Sequence, residues 1–291
     1  MKILVTGATG YIGGYFIRMM QHNAEITALL RSDSNQNSLN NFLCSVLYFK
    51  SYDEILHIMK EKKFDGVVHF AAHISNSNIQ ENINASIDSN ILYGTYLLEG
   101  ASKSGVTWFI NTGTFWQNFN SSNYCPVNLY AATKESFESI SKYYIDISSM
   151  LYATIKINDT FGPFDTRNTV FSYIMNSSRR SKSVIKLTAG EQIIDVSFIE
   201  DIVNAYWQLI IELNKDHSLS GKTFVVTNLE RYSLKKTVDV FQSALGRKFN
   251  IGWGLKPYRK REVMIPYNDG KTVPNWSQKY SLTEAFRKTY L

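Results

Sequence analysis

A tyrosine and a lysine four residues apart on a helix can do proton chemistry at a carbonyl. Tyr-x-x-x-Lys occurs four times here: Tyr130/Lys134, Tyr152/Lys156, Tyr232/Lys236 and Tyr267/Lys271. On a helix such a pair shares one face, with Cβ atoms about 6 Å apart. The ammonium favours phenolate and lowers the phenol pKa from about 10. A tyrosine tuned this way can protonate a carbonyl oxygen as hydride reaches its carbon. Tyr152 and Lys156 fall on a strand pattern, where four residues span about 13 Å. Tyr267 and Lys271 straddle the Asn268-Asp269-Gly270 turn. Tyr232 begins a late helix, far along the chain from the glycine turn described next. Only Tyr130/Lys134 combines a helix with a fitting place in the strand–helix order. Its bland reading is a surface tyrosine lying on a lysine stem.

Thr6-Gly7-Ala8-Thr9-Gly10-Tyr11-Ile12-Gly13 follows the first apolar strand and opens a helix. Gly7 permits a tight turn, Gly10 lets backbone N–H groups approach a diphosphate, and Gly13 lets the helix sit close to the sheet. The helix N-terminus favours the negative charge. A glycine triplet alone is weak; directly after strand one it reads as a dinucleotide turn. The second strand then ends in Arg31-Ser32, with no carboxylate at its tip. NAD sites place Asp or Glu there for the ribose hydroxyls, whereas a guanidinium suits a 2′-phosphate. The expected cofactor is therefore NADPH rather than NAD.

The elements that must hold these groups alternate. Short apolar runs at Ile3–Thr6, Glu25–Leu30, Val46–Phe49, Gly66–Phe70, Thr107–Asn111, Ala153–Ile157 and Phe224–Thr227 are separated by helical segments such as Asn90–Ser102 and Tyr130–Ile147. That pattern predicts an α/β, Rossmann-type, doubly wound parallel sheet. Residues 1–160 and 191–229 are expected to form the dinucleotide-binding domain. Residues 161–190 and 230–291 are expected to form a smaller C-terminal lobe.

The chain has 291 residues, 44% hydrophobic and 19% charged, with 31 Lys+Arg against 25 Asp+Glu for a net +6. The excess is spread out, so it suits an anionic small substrate and no nucleic-acid tail is expected. The 2 cysteines, Cys44 and Cys125, cannot build a disulfide framework or a four-cysteine zinc site, and no metal is expected. No apolar run reaches the roughly 18 residues of a membrane span. Nor does the start show the basic, apolar, small-residue order of a secretory signal. A cytoplasmic globular protein is expected.

Taken together these residues resemble the extended short-chain dehydrogenase/reductase family, the NAD-dependent epimerases and dehydratases, which act largely on nucleotide sugars. Asp65-Gly66-Val67-Val68-His69-Phe70-Ala71-Ala72 resembles the family's fourth-strand motif, which implies that Phe70, Ala71 and Ala72 lie beside the cofactor. Asn90-Ile91-Leu92-Tyr93-Gly94-Thr95 resembles its helix with a supporting Asn, here Asn90. Phe161-Gly162-Pro163 resembles the turn near the sugar nucleotide, and Phe198-Ile199-Glu200-Asp201 a late helix start. The resemblance also implies dinucleotide contacts from Gly7, Thr9, Gly10, Tyr11, Ile12, Gly13, Arg31, Ser32, Tyr130 and Lys134, and a homodimer.

The catalytic hydroxyl should come from Phe109-Ile110-Asn111-Thr112-Gly113-Thr114-Phe115-Trp116. Aligned from the strand, Thr114 takes that place, with Thr112 the alternative. In the family's sugar 4,6-dehydratases an Asp-Glu pair follows the catalytic Thr and eliminates water. Phe115-Trp116 stands there instead, which argues against dehydratase chemistry.

The segments around Thr114, Tyr130, Asp159 and Asp195 further resemble bacterial 4-ketosugar reductases that make 3,6-dideoxyhexoses. This implies a nucleotide-sugar substrate touched by Thr112, Thr114, Asp159, Phe161, Arg259 and Glu262. Asp159 replaces an Asn common in the relatives, and Ile194 an Arg. The implied reaction is NADPH reduction of the C4 ketone of a nucleotide 4-keto-deoxyhexose, CDP-4-dehydro-3,6-dideoxy-D-glucose being favoured. The alternatives are an epimerase with retained NAD, a dTDP-4-keto-6-deoxyglucose reductase, and a non-catalytic NADPH sensor.

Overall fold

The computed structural model describes residues 1–75, 79–121, 123–180 and 184–291. Its strands are β1 (Lys2–Thr6), β2 (Glu25–Arg31), β3 (Ser45–Phe49), β4 (Gly66–His69), β5 (Trp108–Thr114), β6 (Leu151–Ile157), β7 (Asp159–Phe161), β8 (Ile185–Lys186), β9 (Ile193–Ile194), β10 (Val196–Phe198), β11 (Lys222–Val226), β12 (Tyr232–Ser233), β13 (Ile251–Gly252) and β14 (Lys271–Thr272). Its α-helices are α1 (Tyr11–Met20), α2 (Tyr52–Lys62), α3 (Gln80–Ile87), α4 (Tyr93–Lys103), α5 (Leu129–Ile147), α6 (Val170–Arg180), α7 (Ile199–Lys215), α8 (Leu234–Leu245) and α9 (Leu282–Tyr290). One π-turn, Asp88–Leu92, joins α3 to α4.

The central sheet has eight strands in the order β14-β11-β6-β5-β4-β1-β2-β3. Every pairing within it is parallel. This is the expected doubly wound sheet. The strand order reverses between β1 and β4, and ligands of such sheets bind at that switch point.

Alternation along the strands makes two cores. Ile3, Val5, Val68 and Ile110 point to the side covered by α1 and α7, in one cluster with Phe16, Ile17, Tyr206 and Leu209. Leu4, Val67 and Phe109 point to the other side, against Ile55 and Met59 of α2, Leu97 of α4 and Phe137 of α5. Both faces are covered, so the strands carry continuous apolar runs instead of an alternating pattern. Each fully buried aromatic of this kind contributes about 1.5–3 kcal/mol of transfer free energy.

Two boundaries differ from expectation in ways that matter for the site. β5 runs three residues further, through Thr112-Gly113-Thr114, because these backbones keep pairing with Ile155, Lys156 and Ile157 of β6. The helix expected from Asn90 opens as the π-turn, which buries Asn90 completely. The segments expected to make the C-terminal lobe supply α6, α8 and α9, whose Phe171, Phe241 and Phe286 share one aromatic cluster. One of those segments also returns to the large sheet, where β14 pairs with β11.

Candidate active site

The glycine turn sits at the switch point. Gly7 has φ +67°, and a Cβ there would lie 2.6 Å from the Ala71 amide nitrogen. A Cβ at Gly13 would lie 2.3 Å from the Gly7 carbonyl oxygen. Both positions therefore demand glycine, and they draw α1 and the end of β4 onto the turn. Gly10 is the N-cap of α1 and offers no side-chain cap, so the first-turn N–H groups face the turn without a protein side-chain acceptor from the cap.

In front of this turn lies a cleft of about 350 Å³. Gly7, Thr9 and Gly10 line one part of it, Arg31 and Ser34 another, and Phe70, Ala71 and Ala72 come from the end of β4. Asp88 and Ser89 of the π-turn close it. The Arg31 guanidinium stands 3.8 Å from Asp33 and 3.5 Å from the Ser89 hydroxyl. The side chains of Thr6 and His69 pair at 2.7 Å, and the Ala71 amide donates to the Thr6 hydroxyl at 3.3 Å. Burial holds the His69 imidazole neutral, with Lys134 opposing its charge as well.

The side chains of three residues expected at the cofactor point elsewhere. The Tyr11 ring is turned toward the chain after β7: its hydroxyl donates to the Pro163 carbonyl at 3.4 Å, and the Arg167 guanidinium lies 4.5 Å over its ring. Ile12 packs into the core beneath the turn. Ser32 is exposed, and its amide is used by the Phe49 carbonyl at 3.0 Å; Ser34, two residues on, lines the cleft instead. Gly13 acts through packing alone.

The proton chemistry gathers where β5 ends and α5 begins. The Asn128 side chain caps α5, accepting from the Ala131 amide at 3.0 Å, and so fixes the first turn that carries Tyr130. Tyr130 is buried, and the hydroxyl of Thr114, the last residue of β5, acts on its phenol. Lys134, one turn along, is 1% exposed. Burial lowers its ammonium to about 8, with Glu138 pulling the other way.

The expectation that Lys134 lowers the Tyr130 pKa is not met. Burial pushes the phenol up, and the hydroxyl of Thr114 offsets only part of that. Desolvation of the phenolate sets the direction, and Lys134 is not among the groups that shift it. A phenol held neutral remains a proton donor.

Asn90 reaches this region through backbone and helix. Its side chain accepts from the His73 amide at 2.7 Å and donates to the His73 carbonyl at 3.0 Å. It also donates to the Thr133 hydroxyl at 2.9 Å, next to Lys134. Asn90 thus clips the exit of β4 to α5. Thr112 is corrected: its hydroxyl accepts from the Tyr206 phenol of α7 at 2.8 Å, so it ties the sheet to a helix and is not free for a substrate.

A second group of expected site residues lies from β7 onward. Asp159 opens β7 and is exposed, though it lies against protein groups that shift its carboxyl. Burial raises its pKa, Arg167 and Arg259 lower it, and Glu262 raises it. Asp159, Arg259 and Glu262 therefore share one electrostatic neighbourhood. Arg259 and Glu262 also close a turn, the Arg259 amide donating to the Glu262 carboxylate at 3.1 Å. Phe161 is corrected: it is 1% exposed and packed on Phe171, Phe198 and Phe286, so its side chain belongs to the core.

Several structural supports escaped the sequence reading. Arg261 donates to the carbonyls of Val127 and Pro126 and lies 4.3 Å over Phe119, binding the chain near Arg259 to the loop before α5. Arg231 pairs with buried Asp195 at 3.0 Å, supplying a cation that Ile194 does not. Asp201 accepts from the amides of Lys279 and Tyr280 and anchors the C-terminal segment. The basic run 259–261 was visible, but which arginine faces which loop depends on tertiary packing.

Known proteins resemble this arrangement along nearly the whole chain. CDP-abequose synthase of Salmonella typhimurium is 27% identical, over 98% of this chain and 97% of its own. CDP-abequose synthase of Yersinia pseudotuberculosis is 23% identical over 91% of this chain and 92% of its own. The fold is shared with UDP-glucuronic acid 4-epimerase from Bacillus cereus, solved with UDP-glucuronic acid and NAD, at a TM-score of 0.85 and 18% identity over 100% of this chain and 98% of that one. Among the described residues no helix is long and apolar enough to cross a membrane. The model of the NAD dependent epimerase/dehydratase family matches residues 3–226, from β1 to β11, and the chain belongs to that family.

Proposed function

We propose that the protein reduces the C4 ketone of a nucleotide-activated 4-keto-deoxyhexose, with NADPH as hydride donor. The favoured substrate is CDP-4-dehydro-3,6-dideoxy-D-glucose, giving CDP-abequose or CDP-paratose. The observation that carries this reading is that buried Thr114 acts on buried Tyr130, one turn from Lys134 on α5, with Phe115-Trp116 following Thr114 where a dehydratase needs an acid pair. The names of the two relatives above support the substrate class.

The residues present fit a dinucleotide. The glycine cradle leaves no room for side chains, and the uncapped start of α1 offers N–H groups to a diphosphate. Arg31, Ser34 and Ser89 would hold a 2′-phosphate, which favours NADPH. When bound, the nicotinamide supplies hydride to the C4 carbon. Tyr130 then gives its proton to the carbonyl oxygen. Thr114 hydrogen-bonds the same oxygen and fixes its direction. Lys134 supplies positive charge beside Tyr130 and would hold the ribose. Asp159, Arg259 and Glu262 line the approach of the nucleotide sugar.

Mixing the protein with NADPH and CDP-4-dehydro-3,6-dideoxy-D-glucose tests the reading. Loss of absorbance at the nicotinamide band is expected. No loss with this or related 4-ketosugars, or tightly retained NAD with sugar epimerisation, contradicts it. The exposed apolar residues Ile83 and Ile87 of α3 and Tyr143 and Ile147 of α5 support a homodimer, which sedimentation equilibrium checks.

A further inference from the structure

Behind Thr114 and Lys134 lies a polar cluster that the mechanism above does not use. The Gln117 side chain is fully buried. Its oxygen accepts from the Thr114 amide at 2.8 Å, and its nitrogen donates to Glu138 at 2.9 Å and Glu135 at 2.5 Å. Glu138 is on α5 one turn beyond Lys134, so the two share a helix face. Lys156 of β6 faces the same carboxylate, and its ammonium donates to Asn118 at 3.1 Å. A Cβ at Gly113 would come within 2.9 Å of both the Glu138 carboxylate and the Lys156 stem, so the strand leaves just enough space for the pair.

Two lysines, Lys134 and Lys156, and two glutamates, Glu135 and Glu138, meet here, and Glu138 is the carboxyl group that acts on Lys134. Lys134 and Lys156 are both buried cations. The titratable groups that act on Lys134 are Glu138 on its own helix and His69 from β4, which burial keeps neutral, with Tyr130 one turn back along α5. Those facing Glu138 are Lys156 and Tyr152 from β6 and Lys134 and Glu135 on α5. A buried cation needs a counter-charge, and Glu138 is the carboxylate placed between the two.

We propose that Glu138 is a positioning residue: it keeps Lys134 cationic and, through Gln117, holds the backbone that aims Thr114. The first part concerns the protein alone; its meaning for turnover rests on the reductase reading.

The test is a titration of the full chain with no nucleotide sugar, following ¹³Cε of lysine and ¹³Cδ of glutamate by NMR. Lys134 is assigned with Lys134→Arg. In the unaltered protein Lys134 is expected to titrate at about 8. In Glu138→Gln its midpoint falls by about one pH unit, and in Glu138→Asp, which keeps the charge, it stays near the unaltered value. A midpoint that does not move in a folded Glu138→Gln protein overturns the proposal. The unaltered protein gives a check that needs no variant: the Glu138 carboxyl must be ionised at the pH where Lys134 is charged. A carboxyl that stays protonated up to about pH 8 also overturns it. If the reductase reading holds, the alkaline limb of the kcat/KM profile moves down with the Lys134 midpoint. If no ketosugar is reduced, the titration still decides the role of Glu138.

Discussion

The hydroxyl of Thr114, at the end of β5, acts on the phenol of Tyr130, in the first turn of α5, and favours its ionised form. The two residues are 16 positions apart in the chain, and each is 8% exposed. Two hydroxyls so held can converge on one substrate oxygen, one donating a proton and the other a hydrogen bond.

Removing the proton donor should therefore cost rate and spare cofactor binding. Tyr130→Phe is expected to lower kcat by roughly 10²–10⁴. NADPH affinity, read by fluorescence titration, should stay within about twofold, since the change removes one oxygen at the reacting end. Equal turnover would take Tyr130 out of its role.

Arg31 should decide between the two dinucleotides. Its side chain is 61% exposed, so the loss of a charge-assisted hydrogen bond in Arg31→Ala is discounted to about 1.4 kcal/mol, or tenfold. The NADPH KM rises by about that factor, and the NADH KM stays put. Equal losses with both cofactors would show that Arg31 does not read the 2′-phosphate.

Lys134 should be a stability cost kept for function. Its pKa falls from 10.5 to about 8 in the folded chain. The unfolded chain then binds more protons between those values, so stability rises as pH climbs from about 8 through 10.5. Below about 8 the full penalty stands, on the order of 3–4 kcal/mol. Lys134→Met is expected to unfold at a higher denaturant midpoint near pH 7 and to lose activity. A lower midpoint contradicts the account.

Arg231 should matter in the opposite sense. It pairs with Asp195, whose carboxyl burial already raises to about 6. Arg231→Met strands a buried carboxylate and is expected to cost about 3–5 kcal/mol at neutral pH. Without the guanidinium the folded pKa rises further above the ordinary value of 3.8. The loss is then full above that raised pKa and shrinks as pH falls toward about 4. Denaturant unfolding at pH 4.5 and pH 7.5 checks both the size and the sign.

Local pattern carried the frame of this protein. The apolar runs matched the strands of the sheet, and the glycine turn and the Tyr130 helix fell where their spacing placed them. The turn was legible because Gly7 and Gly13 answer to steric limits that any sequence must respect. Asp159, Arg259 and Glu262, which the family resemblance implied as substrate contacts, act on one another electrostatically.

What stayed hidden depends on contacts between distant segments. Thr112 and Thr114 look alike in sequence, and only the Tyr206 phenol from α7 separates a strand tie from a site hydroxyl. Phe161 looked like a substrate contact because its turn adjoins the site, yet its ring faces the other way into the aromatic core. The link from Thr114 through Gln117 to Glu138 has no periodic signature at all. The raised Tyr130 pKa follows from burial, which the four-residue spacing to Lys134 does not reveal.

The most direct test of the reductase account follows the hydrogen itself. The protein is incubated with NADPH carrying deuterium at the transferable C4 position and with CDP-4-dehydro-3,6-dideoxy-D-glucose, and the sugar product is read by mass and NMR. One deuterium at C4 of the sugar for each NADPH consumed is the result the account requires. A sugar product free of deuterium, formed while NADPH remains unspent, would contradict it.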